Sequence, residues 1–225
     1  MKVPSARRPM MLTVAVALIT IGSAARGAPP DQPTTISWFD SGYGMFAAGI
    51  GMHTWGEIDP DGFEEADIES QGLGGFQLSG YYVLTPMIHV GGFLYFFKGD
   101  HDVEDGYDET EVDVEDLGFG VSAKVGNRVH DRIWLGGALD FGMAYLTWDE
   151  GRFEGEGHGL VFFPRFVFDL MALETTTVKV GLHGSLGVQI VPYMAGEAEY
   201  PLTNDRDFDL WAVRLVMLIG ITVGA

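Results

Sequence analysis

From residue 38 onward, apolar and polar side chains alternate with a period of two, in segments of about ten residues or more. The pattern is plainest over 177–193. Val178, Val180, Leu182, Leu186, Val188 and Ile190 fall on one face there, and Lys179, Gly181, His183, Ser185, Gly187 and Gln189 on the other. Residues 208–223 set Trp211, Val213, Leu215, Met217, Ile219 and Ile221 against Arg214, Gly220 and Thr222. The alternation predicts eight strands, over 38–53, 73–84, 87–97, 114–125, 132–148, 160–170, 177–193 and 208–223. No stretch in this part of the chain repeats apolar residues at the 3.6-residue spacing of an amphipathic helix. The fold class is therefore all-β.

In a soluble barrel or sandwich, the face that excludes water is filled by a core, and the other face is polar. Here polar residues take the face a core would fill, and the apolar face is left to point outward. Strands of this length, tilted, cross a bilayer. An eight-stranded antiparallel up-and-down transmembrane β-barrel satisfies both facts; a secreted, lipocalin-like soluble barrel requires an apolar inner face instead. The connections agree with the membrane reading. Those at Thr85–Pro86, 126–131 and 171–176 are short, and those at 54–72, 98–113, 149–159 and 194–207 are long. Short turns at one end and long loops at the other are the habit of outer-membrane barrels, with the long loops facing outward and both chain ends in the periplasm. Aromatic residues cluster at both strand ends, Trp55, Phe96, Phe97, Trp148, Tyr193 and Tyr200 beside the long loops and Trp38, Phe39, Tyr82, Trp134 and Phe168 beside the short turns, which predicts two interfacial girdles.

Charge sharpens this reading. The 225 residues carry 13 Lys plus Arg against 32 Asp plus Glu and no cysteine. Residues 1–25 have a basic start (Lys2, Arg7, Arg8), an apolar run too short to span a bilayer and small residues at its end, the layout of a cleaved secretory signal peptide with cleavage after Ala25 or Gly27. Residues 26–37 read as a polar linker and 38–225 as the barrel. Loss of the signal removes three basic and no acidic residues, leaving 10 Lys plus Arg against 32 Asp plus Glu, a net charge of −22. The four long connections hold −7, −7, −3 and −3 of it. So negative a surface excludes nucleic acid as a partner. The stretch 99–116, GDHDVEDGYDETEVDVED, has ten acids in eighteen positions and reads as a loop rising from the third strand.

Signal, alternating strands, unequal connections and girdles together resemble the small eight-stranded outer-membrane β-barrel proteins of Gram-negative bacteria. The chain departs from that class in ending ITVGA, where its members commonly end on an aromatic residue read by the assembly machinery. The resemblance implies outer-membrane localisation. It also implies contact with outer-membrane lipid and lipopolysaccharide and insertion by the barrel-assembly machinery.

Candidate chemistry lies in two places. Inward-facing parity gathers His53, His89, Lys124, Asp140, Arg165, Asp169, Lys179, His183, Gln189 and Arg214, with both signs of charge available for pairing in a lumen only wide enough for side chains. His183 and Ser185, with Asp169 to orient the histidine, are the best nucleophile and base pair on offer. Two positions apart on a strand, however, they stand roughly 7 Å apart, beyond a direct hydrogen bond. Asp100, Asp102, Glu104, Asp105, Asp108 and Glu109 supply the oxygen ligands preferred by Ca2+ or Mg2+. Their spacing does not match an EF-hand, so any cation there is weakly held, and no other cofactor is indicated. The function expected is structural or surface-interacting rather than enzymatic, the alternatives being small-solute transport or sensing through the lumen and lipid modification.

Overall fold

The computed structural model describes the backbone of residues 42–60, 66–70, 73–105, 108–149, 154–174, 179–200, 203–207 and 210–224. Side chains are described within 42–52, 73–100, 113–147, 155–173, 179–192 and 212–224. The described residues form ten strands, β1 (Gly44–Pro60), β2 (Ala66–Ser70), β3 (Gly74–Thr85), β4 (Ile88–Asp105), β5 (Asp108–His130), β6 (Ile133–Asp149), β7 (Glu154–Glu174), β8 (Lys179–Tyr200), β9 (Thr203–Asp207) and β10 (Leu210–Gly224). All pairings are antiparallel, and β1 joins β10 from Met45↔Gly224 to Pro60↔Leu210, so the sheet closes on itself. Short β2 lies between β1 and β4, in the slot that β3 fills further along, and β9 extends the line of β10 beside β8. The wall thus has eight positions, in the order β1, β2/β3, β4, β5, β6, β7, β8 and β9/β10.

Several boundaries differ from the sequence expectation, and among them β7 begins at Glu154 where 160 was expected and β8 runs to Tyr200 where 193 was expected. The first strand runs on past 53 to Pro60, while residues 38–41 lie outside the described part, as do the signal and linker segments. The turn placed at 126–131 is tighter, with β5 continuing to His130 and only Asp131 and Arg132 between strands. Most of the segment read as a loop at 98–113 is ladder: β4 and β5 stay paired out to Asp105↔Asp108. The physical reason is that acids there are interleaved with Val103, Thr110, Val112 and Val114, whose β-branched side chains favour extended backbone. Charge marks exposure to water, and strands already aligned by the barrel extend at little further entropic cost.

The outer face is an apolar belt. Ile50, Val121, Phe166 and Ile219 are 75, 64, 57 and 60% exposed, and β1, β3, β4, β5, β6, β7, β8 and β10 all add similar residues at alternate positions among the described side chains. Such a surface is tolerable in hydrocarbon and not in water. The lumen is divided. Its half near the short turns holds most of the polar and charged side chains, set among Met45, Val83, Trp134, Val167 and Met171, and the half near the long connections is packed with Leu73, Phe93, Phe97, Val114, Leu146, Val161, Phe163, Val191, Val216 and Leu218. The alternation predicts a polar lumen, so this half corrects that reading.

Close approach of strands to side chains makes some inward glycines indispensable. A Cβ on Gly118 would lie 2.2 Å from the Tyr95 ring and 2.5 Å from its hydroxyl. Gly118→Val therefore forces Tyr95 off its place and is expected to destabilise the barrel by about 1–3 kcal/mol. Urea unfolding from lipid vesicles, followed by tryptophan fluorescence, measures the loss, and an unchanged midpoint would contradict it.

Candidate functional site

In the polar half, residues from five strands converge on one network. Asp140 of β6 is its hub. It accepts from Gln77 Nε2 on β3 (2.9 Å), from Ser122 on β5, and from Arg165 Nη2 on β7 (3.0 Å). Arg165 also donates to Tyr81 Oη of β3 (2.8 Å) and to Ser185 Oγ of β8 (3.2 Å), while Tyr81 Oη and Ser122 Oγ lie 3.0 Å apart. Beside it, Lys124 Nζ of β5 donates to Asp169 Oδ2 of β7 (2.9 Å), and Asp169 Oδ1 stands 2.6 Å from His183 Nδ1 of β8. The Lys124 ammonium also lies over the Tyr81 ring at 4.3 Å, and His89 stacks on Trp134 with centroids 5.1 Å apart. These charges are buried, so their mutual pairing is what makes them tolerable.

Higher in the lumen, within the apolar half, Arg214 Nη1 of β10 donates to Asp116 Oδ2 of β5, and Asp116 Oδ1 accepts from Tyr95 Oη (3.3 Å). Gln189 is buried at the position across the ladder from Arg214. Lys179 is half-buried at the short-turn rim, its Nζ 5.5 Å from the Tyr43 ring. His53 sits in β1 at a bulge, and its side chain lies outside the described residues. Of the ten inward candidates, the structure brings His89, Lys124, Asp140, Arg165, Asp169 and His183 together at one end and places Gln189 and Arg214 further along.

Several network members were missed. Asp116, which the acidic run assigns to a loop, is fully buried; Trp134 and Phe97, which the sequence assigns to the girdles, are 0 and 1% exposed and face inward. The signal was present in each case. Asp116 shares parity with Ser122 and Lys124, Phe97 with His89, and Trp134 with Asp140, but local composition outweighed position. Gln77, Ser79 and Tyr81 lie on the inner face, where the alternation over 73–84 sets them against Phe76, Leu78 and Tyr82, and Ser122 follows the same parity. Asp169 does hold His183, yet Ser185 is engaged by Arg165 and only 6% exposed.

At the other end of the strands the register produces rows of acids. Asp100↔Asp113, Asp113↔Asp149, Asp149↔Glu154 and Glu154↔Glu199 place five acidic residues in consecutive cross-strand positions from β4 to β8. A second row runs Glu57↔Glu69, Glu69↔Asp102 and Asp102↔Glu111 over β1, β2, β4 and β5. Asp100 and Asp113 are exposed, and Lys98 Nζ lies 3.3 Å from Glu115 Oε1 and 3.9 Å from Asp113 Oδ2. Of the six cation-ligand candidates, Asp100 alone has a described side chain; Asp102, Glu104, Asp105, Asp108 and Glu109 are known by ladder position, with Glu104↔Glu109 and Asp105↔Asp108 facing pairs. Among the described residues no group of three metal-ligating side chains forms a site.

A closed eight-position wall, an apolar exterior and a filled interior decide the class. The fold is that of a small outer-membrane β-barrel. The crystal structure of the outer membrane protein OprG from Pseudomonas aeruginosa superposes with a TM-score of 0.53 at 12% identity, covering 83% of this chain and 97% of that one. The outer membrane protein AlkL, solved by solid-state NMR in lipid bilayers, gives 0.46 at 12% identity over 88% of this chain and 97% of its own. Ail, the attachment invasion locus protein of Yersinia pestis, gives 0.41 at 13% identity over 80 and 98%. The sequence matches no family model and no curated protein. The barrel lies in the outer membrane, where its apolar belt meets lipid.

Proposed function

We propose that this barrel is a closed, non-enzymatic platform that works at its acidic rim, holding rows of carboxylates outside the cell for a positively charged partner. The observation that carries the reading is the five-residue row from Asp100 to Glu199. Like charges placed directly opposite one another weaken a sheet, so a rim built this way retains them at a cost to its own stability. A cationic surface docking on the row would relieve that repulsion. The interior supports a surface role, since paired charges and aromatic side chains fill both halves of the lumen and leave Ser185 unable to serve His183 as a nucleophile.

Two measurements test this. Reconstituted in planar bilayers, the barrel is expected to give no single-channel steps; regular conductance would turn the reading towards solute passage. An oligolysine peptide serves as the probe for the rim. Its binding is expected to weaken as salt rises and to be lost when Asp100, Asp102, Glu111 and Asp113 are changed to Asn or Gln. Equal binding by that variant would overturn the rim as the working surface.

A further inference from the structure

The eight seams of the wall are not joined alike. β6–β7 pairs without a break from Asp149↔Glu154 to Ile133↔Leu170, and β8–β10 from Leu210↔Tyr193 to Gly224↔Lys179. Along β7–β8 the pairing steps from Gly159↔Tyr193 to Phe162↔Ile190 and then to Arg165↔Gly187, leaving out the positions between, and it shifts again between Met171 and Leu173. The cause is chemical. Pro164 in β7 and Pro192 in β8 have no N–H to give. The intact ladders at Leu139↔Pro164 and Trp211↔Pro192 show that neither proline interrupts its outer neighbour. Both missing donors therefore fall on the β7–β8 seam. Prolines in sheets are otherwise confined to edges and bulges, and within a bilayer no water replaces the lost bond.

Two side-chain bridges cross this same seam from the lumen. Arg165 of β7 donates to Ser185 of β8, and Asp169 of β7 pairs with His183 of β8. Strand approach is tight between them: a Cβ on Gly187, opposite Arg165, would lie 2.2 Å from the Pro164 carbonyl oxygen. We infer that the Arg165–Ser185 and Asp169–His183 bridges are a latch, closing from inside a seam that the backbone leaves weak, so that β7 and β8 part locally before any other pair of strands. The latch differs from general packing because its loss is felt at one seam.

Hydrogen exchange of the full-length barrel in lipid nanodiscs tests this. Segments 159–165 and 187–193 are expected to exchange faster than 117–124 and 139–146, which share the unbroken part of the β5–β6 ladder. Ser185→Ala and His183→Leu are each expected to accelerate the seam by about ten-fold, the factor matching one ordinary hydrogen bond, and to leave β5–β6 unchanged. Pro164→Ala, which restores a donor, is expected to slow it. Equal rates on both seams in the unsubstituted protein would sink the inference, as would variants that accelerate every strand together. If His183→Leu does not fold, Ser185→Ala and Pro164→Ala decide the matter alone.

Discussion

Arg214→Leu is expected to destabilise the barrel by about 3–5 kcal/mol, because it leaves the Asp116 carboxylate buried without its cationic partner. Asp116 is 0% exposed, Arg214 is 1% exposed, and the apolar residues around them offer no water to take over. Asp116→Leu should cost a similar amount. The double variant Asp116→Leu with Arg214→Leu removes both charges, and much of the stability should return, since a buried ion pair is often replaceable by apolar side chains of similar volume. Urea titrations of all four proteins in vesicles complete the cycle. Additive losses in the double variant would show that the two residues act independently and that their contact is incidental.

A second large effect is expected on the outside. Ile219→Arg places a guanidinium in the middle of the apolar belt, at a residue 60% exposed and paired with Ile50, and should cost about 2–4 kcal/mol in a bilayer. Glu156→Arg, on an exposed position beyond the belt, is the matched control and should change stability little. Refolding yield and urea midpoint in vesicles report both. A tolerated arginine at 219 would mean that this face does not meet hydrocarbon. Lys124 is instructive beside it: a cation is accepted within the wall because it faces inward onto Asp169, Tyr81 and Trp134.

The period of two made the strands and the two faces legible, since a single parity error would have turned every lumen residue to lipid. Parity also sufficed for His89, Lys124, Asp140, Arg165, Asp169 and His183. It failed to announce the apolar half because Phe93, Phe97, Val114 and Phe163 are apolar residues on the inner face opposite apolar residues on the outer one, and alternation without contrast carries no signal. Asp116 was hidden by the acidic run before it. Its union with Arg214 joins residues 98 positions apart, and such a contact is set by barrel closure and strand stagger rather than by any local pattern. The acidic rows depend on register in the same way: composition revealed a negative rim, and only the pairing of strands revealed that acids face acids across it.

Two contacts that cross the lumen have a mechanical meaning. Tyr81 to Arg165 runs from β3 to β7, and Asp116 to Arg214 from β5 to β10, each linking walls four positions apart in a ring of eight. Each is thus a strut across a full diameter, and the two diameters stand a quarter-turn from one another at different heights. A hoop braced along one diameter can still flatten along the other. Braced along both, it resists squeezing from any side, so changes in lateral pressure within the membrane should be met by tilt of the whole cylinder and leave its cross-section round.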